Sequence, residues 1–189
     1  MRNALALPRH LATVLRSTWP DIDFSPFQSP RNLVDPRSLT PHVYISIIEG
    51  NFPEGRGDRR VQQHQPQIAF DIYGFAKSQI ADDDSFDVSA YETATNQTEA
   101  IAGAVYDLLM AADFDRRFEE STGLTYLDNY GTIYPIRLES TQGPDPEGSG
   151  IGISLVRLIF GIETIERPLD ETPSGILSLQ GTAVNTTTI

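Results

Sequence analysis

Two runs in this chain alternate apolar and polar side chains with a period of two: His42-Val-Tyr-Ile-Ser-Ile-Ile48 and Gln67-Ile-Ala-Phe-Asp-Ile-Tyr73. Successive side chains of a strand point to opposite faces. Val43, Ile45 and Ile47 therefore share one face, as do Ile68, Phe70 and Ile72, with Asp71 turned outward. Two half-buried strands so close in sequence are most economically joined as an antiparallel hairpin. Their connection, Glu49 to Pro66, is then a long projecting loop, and loops of that length in compact domains are usually functional or disordered.

The tip of that loop reads Glu54-Gly-Arg-Gly-Asp-Arg-Arg60. Gly55 and Gly57 let the backbone bend, while Arg56, Arg59 and Arg60 present forked guanidinium groups to carboxylates or phosphates. Arg56-Gly57-Asp58 also spells an adhesion tripeptide, the weaker reading, since a given tripeptide of common residues arises by chance in roughly a few per cent of chains this size. Asp58 is kept with the arginines as a contact residue.

The remaining elements follow from periodicity and punctuation. Apolar positions at helical spacing predict a helix from about Leu7 to Thr18, with Pro8 tolerable only in its first turn. The N-terminal stretch reads as this helix rather than as a signal peptide, because Pro8 and His10 interrupt its apolar run. Residues 20–41 hold many of the prolines and read as an extended connection. Asn96-Gln-Thr-Glu99 resembles a capping box ahead of a stripe of Ile101, Val105, Leu108 and Ala112. Ile133–Glu139 reads as a strand, at an edge if Pro135 lies inside it. After a Gly- and Pro-rich linker, Ile151–Phe160 reads as the longest strand, central or capped on both sides because its later half is apolar on both faces. The expected architecture is one α+β domain over residues 1–167, an antiparallel sheet of about four strands with helices on one face. Residues 168–189 carry two short apolar snippets, Ile176-Leu177 and Ala183-Val184, too little for a core of their own. They read as an extended arm that orders by adding to a neighbouring sheet, with Ile176, Leu177 and Val184 as its contacts.

Composition excludes several chemistries. The chain of 189 residues has no cysteine, so a disulfide framework, a thiol nucleophile and a thiolate metal site are all ruled out. No apolar run approaches the roughly 18 residues that span a bilayer. A net charge of −12 argues against a free-standing nucleic-acid binder. His10, His42 and His64 lack the spacing of a zinc site, and Asp82-Asp-Asp84 with Asp87 lacks the glycine and closing glutamate of a calcium loop. Neither a phosphate loop nor a nucleophile elbow is present. The expectation is a protein that is not an enzyme and holds no cofactor or metal. An acidic body with a basic tip is self-complementary, and a heterologous contact of that kind closes into a ring when its rotation permits.

From Pro41 to Glu166 the order of features resembles the tail terminator (tail-completion) proteins of tailed bacteriophages. The stretches that carry it are Thr40-Pro-His-Val-Tyr-Ile-Ser, the charged hairpin loop, Gln67–Gly74, the helix Glu99–Leu109 and the closing strand Leu155–Phe160, with an N-terminal helix before them. The Pro-rich segment and the long tail depart from the smallest such proteins, which keeps a head-completion or connector protein of the phage neck as the alternative. The resemblance implies a virion protein assembled in the host cytoplasm. It implies a hexameric ring that caps the tail tube, docks to the head–tail connector and lets the genomic DNA pass through its lumen without sequence-specific binding.

Overall fold

The computed structural model describes residues 2–26, 40–51, 62–77, 87–141 and 151–166. Helix α1 (Arg2–Thr18) leads into a short strand β1 (Asp23–Ser25), followed by β2 (His42–Asn51) and β3 (Gln62–Lys77). Three helices come next, α2 (Val88–Leu109), α3 (Phe114–Thr122) and α4 (Tyr126–Asn129), and then β4 (Tyr130–Thr141) and β5 (Ile151–Glu166). The strands form one sheet in the order β1-β2-β3-β5-β4. The fold is α+β, as the sequence indicates, with one correction: β1 runs parallel to β2, so the sheet is mixed and five-stranded.

The predicted hairpin forms with Val43 opposite Ile72, Ile45 opposite Phe70 and Ile47 opposite Ile68. β5 inserts on the far side of β3, placing Phe160 against Ile68, Leu158 against Phe70 and Val156 against Ile72. These side chains share one core with Leu7, Leu11 and Leu15 of α1 and with Ile101, Val105 and Leu108 of α2. Both long helices thus cover the same face. Each large apolar side chain so enclosed stabilises the fold by about 1.5–3 kcal/mol. β4 lies at the edge, as Pro135 foretells, and its register slips between Pro135 and Arg137.

Several boundaries differ from the periodicity reading. α1 starts at Arg2, so Pro8 sits inside it rather than in its first turn; burial of Leu7, Leu11, Ala12 and Leu15 outweighs one missing backbone donor. The extended 20–41 stretch contains β1, held by a 2.8 Å contact between His42 Nε2 and Asp23 Oδ2, by burial of Phe24, and by the Arg16 guanidinium donating to the Phe24 carbonyl. Asn96–Glu99 does not cap a helix. α2 begins a full two turns earlier, where the Asp87 carboxylate accepts from the Ala90 amide at 3.1 Å. α3 and α4 arise in a stretch that periodicity passes over.

The placement of α2 depends on glycine. A Cβ on Gly74 would lie 2.5 Å from the Ala94 carbonyl oxygen, and one on Gly152 would lie 2.7 Å from the Ala90 carbonyl carbon. The facing helix side is small in turn, with Ala90, Ala94 and Thr98 buried. Thr95 and Thr98 add hydroxyl contacts to Ser154 at 3.3 and 3.2 Å. Elsewhere an aromatic cluster joins α1, α3, α4 and β4. The rings of Phe118 and Tyr126 meet edge to face at 5.1 Å, and those of Tyr126 and Tyr130 lie 5.0 Å apart. His10 Nδ1 reaches the Tyr130 hydroxyl at 3.0 Å, with its ring edge-on to Phe118.

Burial lowers the His10 pKa below its ordinary 6.5 and pushes Tyr130 up to about 12; burial raises Tyr126 too. Below pH 6.5 the unfolded chain takes up a proton at His10 that the folded chain resists, so stability falls as the pH drops through that value. Above pH 10 the unfolded tyrosines ionise before the folded ones, and stability falls again. Urea midpoints measured at pH 5.5 and 7.5 are expected to differ in that sense, and His10→Gln is expected to shrink the difference, with His64, also lowered by burial, keeping the remainder. Gly74→Ala and Gly152→Ala are each expected to cost about 1–3 kcal/mol through backbone collision. Gly103→Ala on the exposed side of α2, where a Cβ meets nothing within 4 Å, is expected to be neutral or to stabilise by about 0.5–1 kcal/mol in chemical denaturation.

Candidate subunit-contact surface

The contact residues read from the sequence, Arg56, Asp58, Arg59, Arg60, Ile176, Leu177 and Val184, lie outside the described residues. What the structure fixes is where the segments that carry them leave the sheet. β2 and β3 stay paired as far as Asn51 opposite Gln65, so the connection runs from 52 to 61. That is shorter than the Glu49–Pro66 span expected from periodicity. Pro66, whose missing donor argues against a central strand, is accommodated where no pairing to β5 forms between His64 and Gln67.

The first residue of β3, Gln62, pairs with the last residue of β5, Glu166. The arginine segment and the C-terminal segment therefore depart from the same end of the sheet, from adjacent strands. Strands lie about 4.8 Å apart, so the two roots are neighbours although more than a hundred residues separate them in sequence.

At the opposite end, Lys77 pairs with Ile151, and Thr141 with Leu155. From that end the links 78–86 and 142–150 depart. They contain Asp82, Asp83, Asp84, Asp145 and Glu147 and no basic residue. The 52–61 segment instead sets three arginines against Glu54 and Asp58. The 27–39 segment, with Arg31, Arg37 and Asp35, leads into β2 at the Lys77–Ile151 end, so the sheet carries an arginine-rich connection at one end and, at the other, three connections whose combined charge is acidic. Between oppositely charged surfaces, complementarity steers encounter and fixes register more than it adds affinity.

The flank of the sheet offers a further surface. β4 pairs with β5 on one side, and no strand among the described residues pairs with its other side. Beside it, between α2 and the last two strands, runs an apolar groove of about 590 Å³. Val156, Leu158 and Phe160 lie along it, Ala102, Gly103 and Tyr106 form the helix wall, and Pro135 and Ile136 the strand wall. Among the described residues Glu99 is the one charged side chain that lines it. Tyr106 and Ile136 remain 41% and 40% exposed, large apolar surfaces that usually mark a contact when they cluster. Sequence reasoning missed this groove because it joins a helix and a strand separated by α3 and α4.

The opposite face of the sheet carries a closed ion pair. The Arg157 guanidinium donates twice to the Asp71 carboxylate, at 2.5 and 2.8 Å, across directly paired positions. A row of rings, His42, Tyr44 and Tyr73, flanks it at centroid spacings of 5.7 and 5.8 Å. The pair neutralises both charges in place and ties the β3–β5 register.

Of the catalytic candidates, His10 lies against Tyr130, His42 against Asp23, and His64 inside β3 rather than in the loop. Among the described residues no three metal-ligating side chains come together. Asp87 is occupied in capping α2, and Asp82–Asp84 lie outside the described residues. No described helix is long and apolar enough to cross a membrane. Neither a scan against protein-family models nor a search of curated proteins returns a match to this chain, so its functional reading rests on these residues and their geometry.

Proposed function

We propose that this protein is a ring-forming structural component of a phage virion, placed at the head–tail junction as a tail terminator and without enzymatic activity. The observation that carries the reading is the polarity of the sheet. Segments expected to seek a partner leave one end from adjacent strands, while the connections 27–39, 78–86 and 142–150 that join the other end together hold six acidic residues against two arginines. Head-to-tail contacts between unlike ends are heterologous, and such contacts close into rings when the rotation between copies divides a full turn. Arginine suits the role, because its planar fork matches carboxylates bidentately.

In this reading Arg56, Arg59 and Arg60 of one copy meet acidic links of the next, or the tail tube protein on the ring's axial face. The head–tail connector docks on the other axial face. The overall charge of −12 serves a lumen through which genomic DNA passes, since a wall of like charge lets the phosphate backbone slide rather than stick. Six copies fit the resemblance to terminator rings.

The test is the native mass of the purified full chain, by light scattering or native mass spectrometry, alongside particle images that report symmetry. A closed ring is expected, forming with purified tail tubes if not alone. Excising residues 54–60 is expected to leave the unfolding midpoint within about 0.5 kcal/mol, since surface changes away from packed groups fall in that range. It is also expected to raise the concentration needed for half-assembly at least about tenfold, the equivalent of 1.4 kcal/mol. Rings and tail joining that persist unchanged after the excision would rule out the arginine contact.

A further inference from the structure

We infer that the groove between α2 and β4 receives the C-terminal segment of a neighbouring copy, residues 172–189, as a strand added to the outer side of β4. The inference rests on the ring reading for the identity of the neighbour, and on three separate observations for the site.

The first is the pairing state of β4. It runs for 12 residues and carries β5 on one side only among the described residues. A strand added to such an edge gains main-chain hydrogen bonds, while pockets beside the edge select alternate side chains. The slip at Pro135–Arg137 confines that pairing to the part of β4 beyond it.

The second observation is the pocket itself. It has about 590 Å³ of space, a floor of Val156 and Leu158, and walls of Tyr106 and Ile136. With Glu99 the only charged lining residue among those described, it suits an uncharged apolar occupant.

The third is the segment outside the described residues. It begins after Glu166 and ends at Ile189. From Thr172 onward it contains no charged side chain, although the whole chain is strongly acidic. Within it, Ile176-Leu177-Ser178-Leu179 alternates so that Leu177 and Leu179 fall on one side of an extended strand, two neighbouring apolar groups for one pocket. The positions on both sides of β5 are already taken by β3 and β4, so the segment cannot simply continue as the next strand of its own sheet where it leaves. At roughly 3.3 Å per residue, the stretch from Arg167 to Ile176 reaches about 30 Å, enough to bridge to an adjoining copy.

The test places a photo-reactive benzophenone side chain at Tyr106 in the full-length protein and reassembles an equal mixture of nitrogen-15-labelled and unlabelled copies. Irradiation is expected to join Tyr106 peptides to peptides within 172–189, with labelled-to-unlabelled pairs present. Cross-links confined to like-labelled pairs would mean that the segment folds onto its own chain, and would overturn the inference. Cross-links that land elsewhere in an intact ring would overturn it while leaving the ring reading standing. A protein that stays monomeric alone and with tail tubes would sink both.

Gly103→Trp supplies an independent arm. It puts bulk into the groove from a helix position where a Cβ meets nothing within 4 Å, so the fold is expected to keep its unfolding midpoint. Loss of the cross-link and at least a tenfold rise in the half-assembly concentration are expected. Unaltered cross-linking in that variant would refute occupation of the groove.

Discussion

The close approach of α2 to the sheet at Gly74 and Gly152 governs the rest of the architecture. A helix seated on backbone rather than on side chains has its height and direction set by atoms that cannot move aside. Ala90, Ala94 and Thr98 bring the first half of α2 down to that height. Further along, Ile101, Val105 and Leu108 need room above Phe70 and Phe160, so larger side chains separate the helix from the strands. Space between α2 and the flank of the sheet opens in this second half, where Ala102, Gly103 and Tyr106 form one wall of the groove. Packing at one end of a helix thus shapes a cavity at the other.

The same seat fixes the topology around it. With α2 spanning β3 and β5, α1 takes the β2 side of the same face, and its Arg16 reaches β1 through the Phe24 carbonyl. α3 and α4 then close the space between α1 and the start of β4 with Phe114, Phe118, Tyr126 and Tyr130. These rings gain both from buried area and from their edge-to-face geometry.

Much of this was legible because strands with one buried face must alternate. Val43, Ile45 and Ile47 against Ile68, Phe70 and Ile72 fixed the hairpin, and apolar residues on both faces of Leu155–Phe160 placed that strand in the middle. Pro135 correctly put β4 at an edge. What failed, failed for local reasons. Asn96–Glu99 has the residue types of a cap, but the real cap is Asp87, and the intervening turns present Ala and Thr instead of a large apolar stripe. A three-residue parallel strand leaves too few alternations to register: Phe24 alone enters the core, and His42 and Arg16 hold Asp23 and the Phe24 carbonyl on either side of that anchor. Of the proposed contact surface, the arginine connection and the C-terminal segment were readings of the sequence. Their shared point of departure from the sheet required strand pairings between residues a hundred positions apart, which no local pattern encodes.

The two flanks of the sheet are unequal, and the inequality bears on how far association can run. One flank ends in β1, a strand of three residues. A ladder that short cannot template a full-length strand from another molecule, whereas β4 beyond its register slip offers the five residues Arg137 to Thr141. Among the described residues the long open strand edge therefore lies on one flank, which disfavours repeated flank-to-flank pairing of sheets. An assembly built through β4 would run head to tail, and the rotation between copies would decide whether it closes.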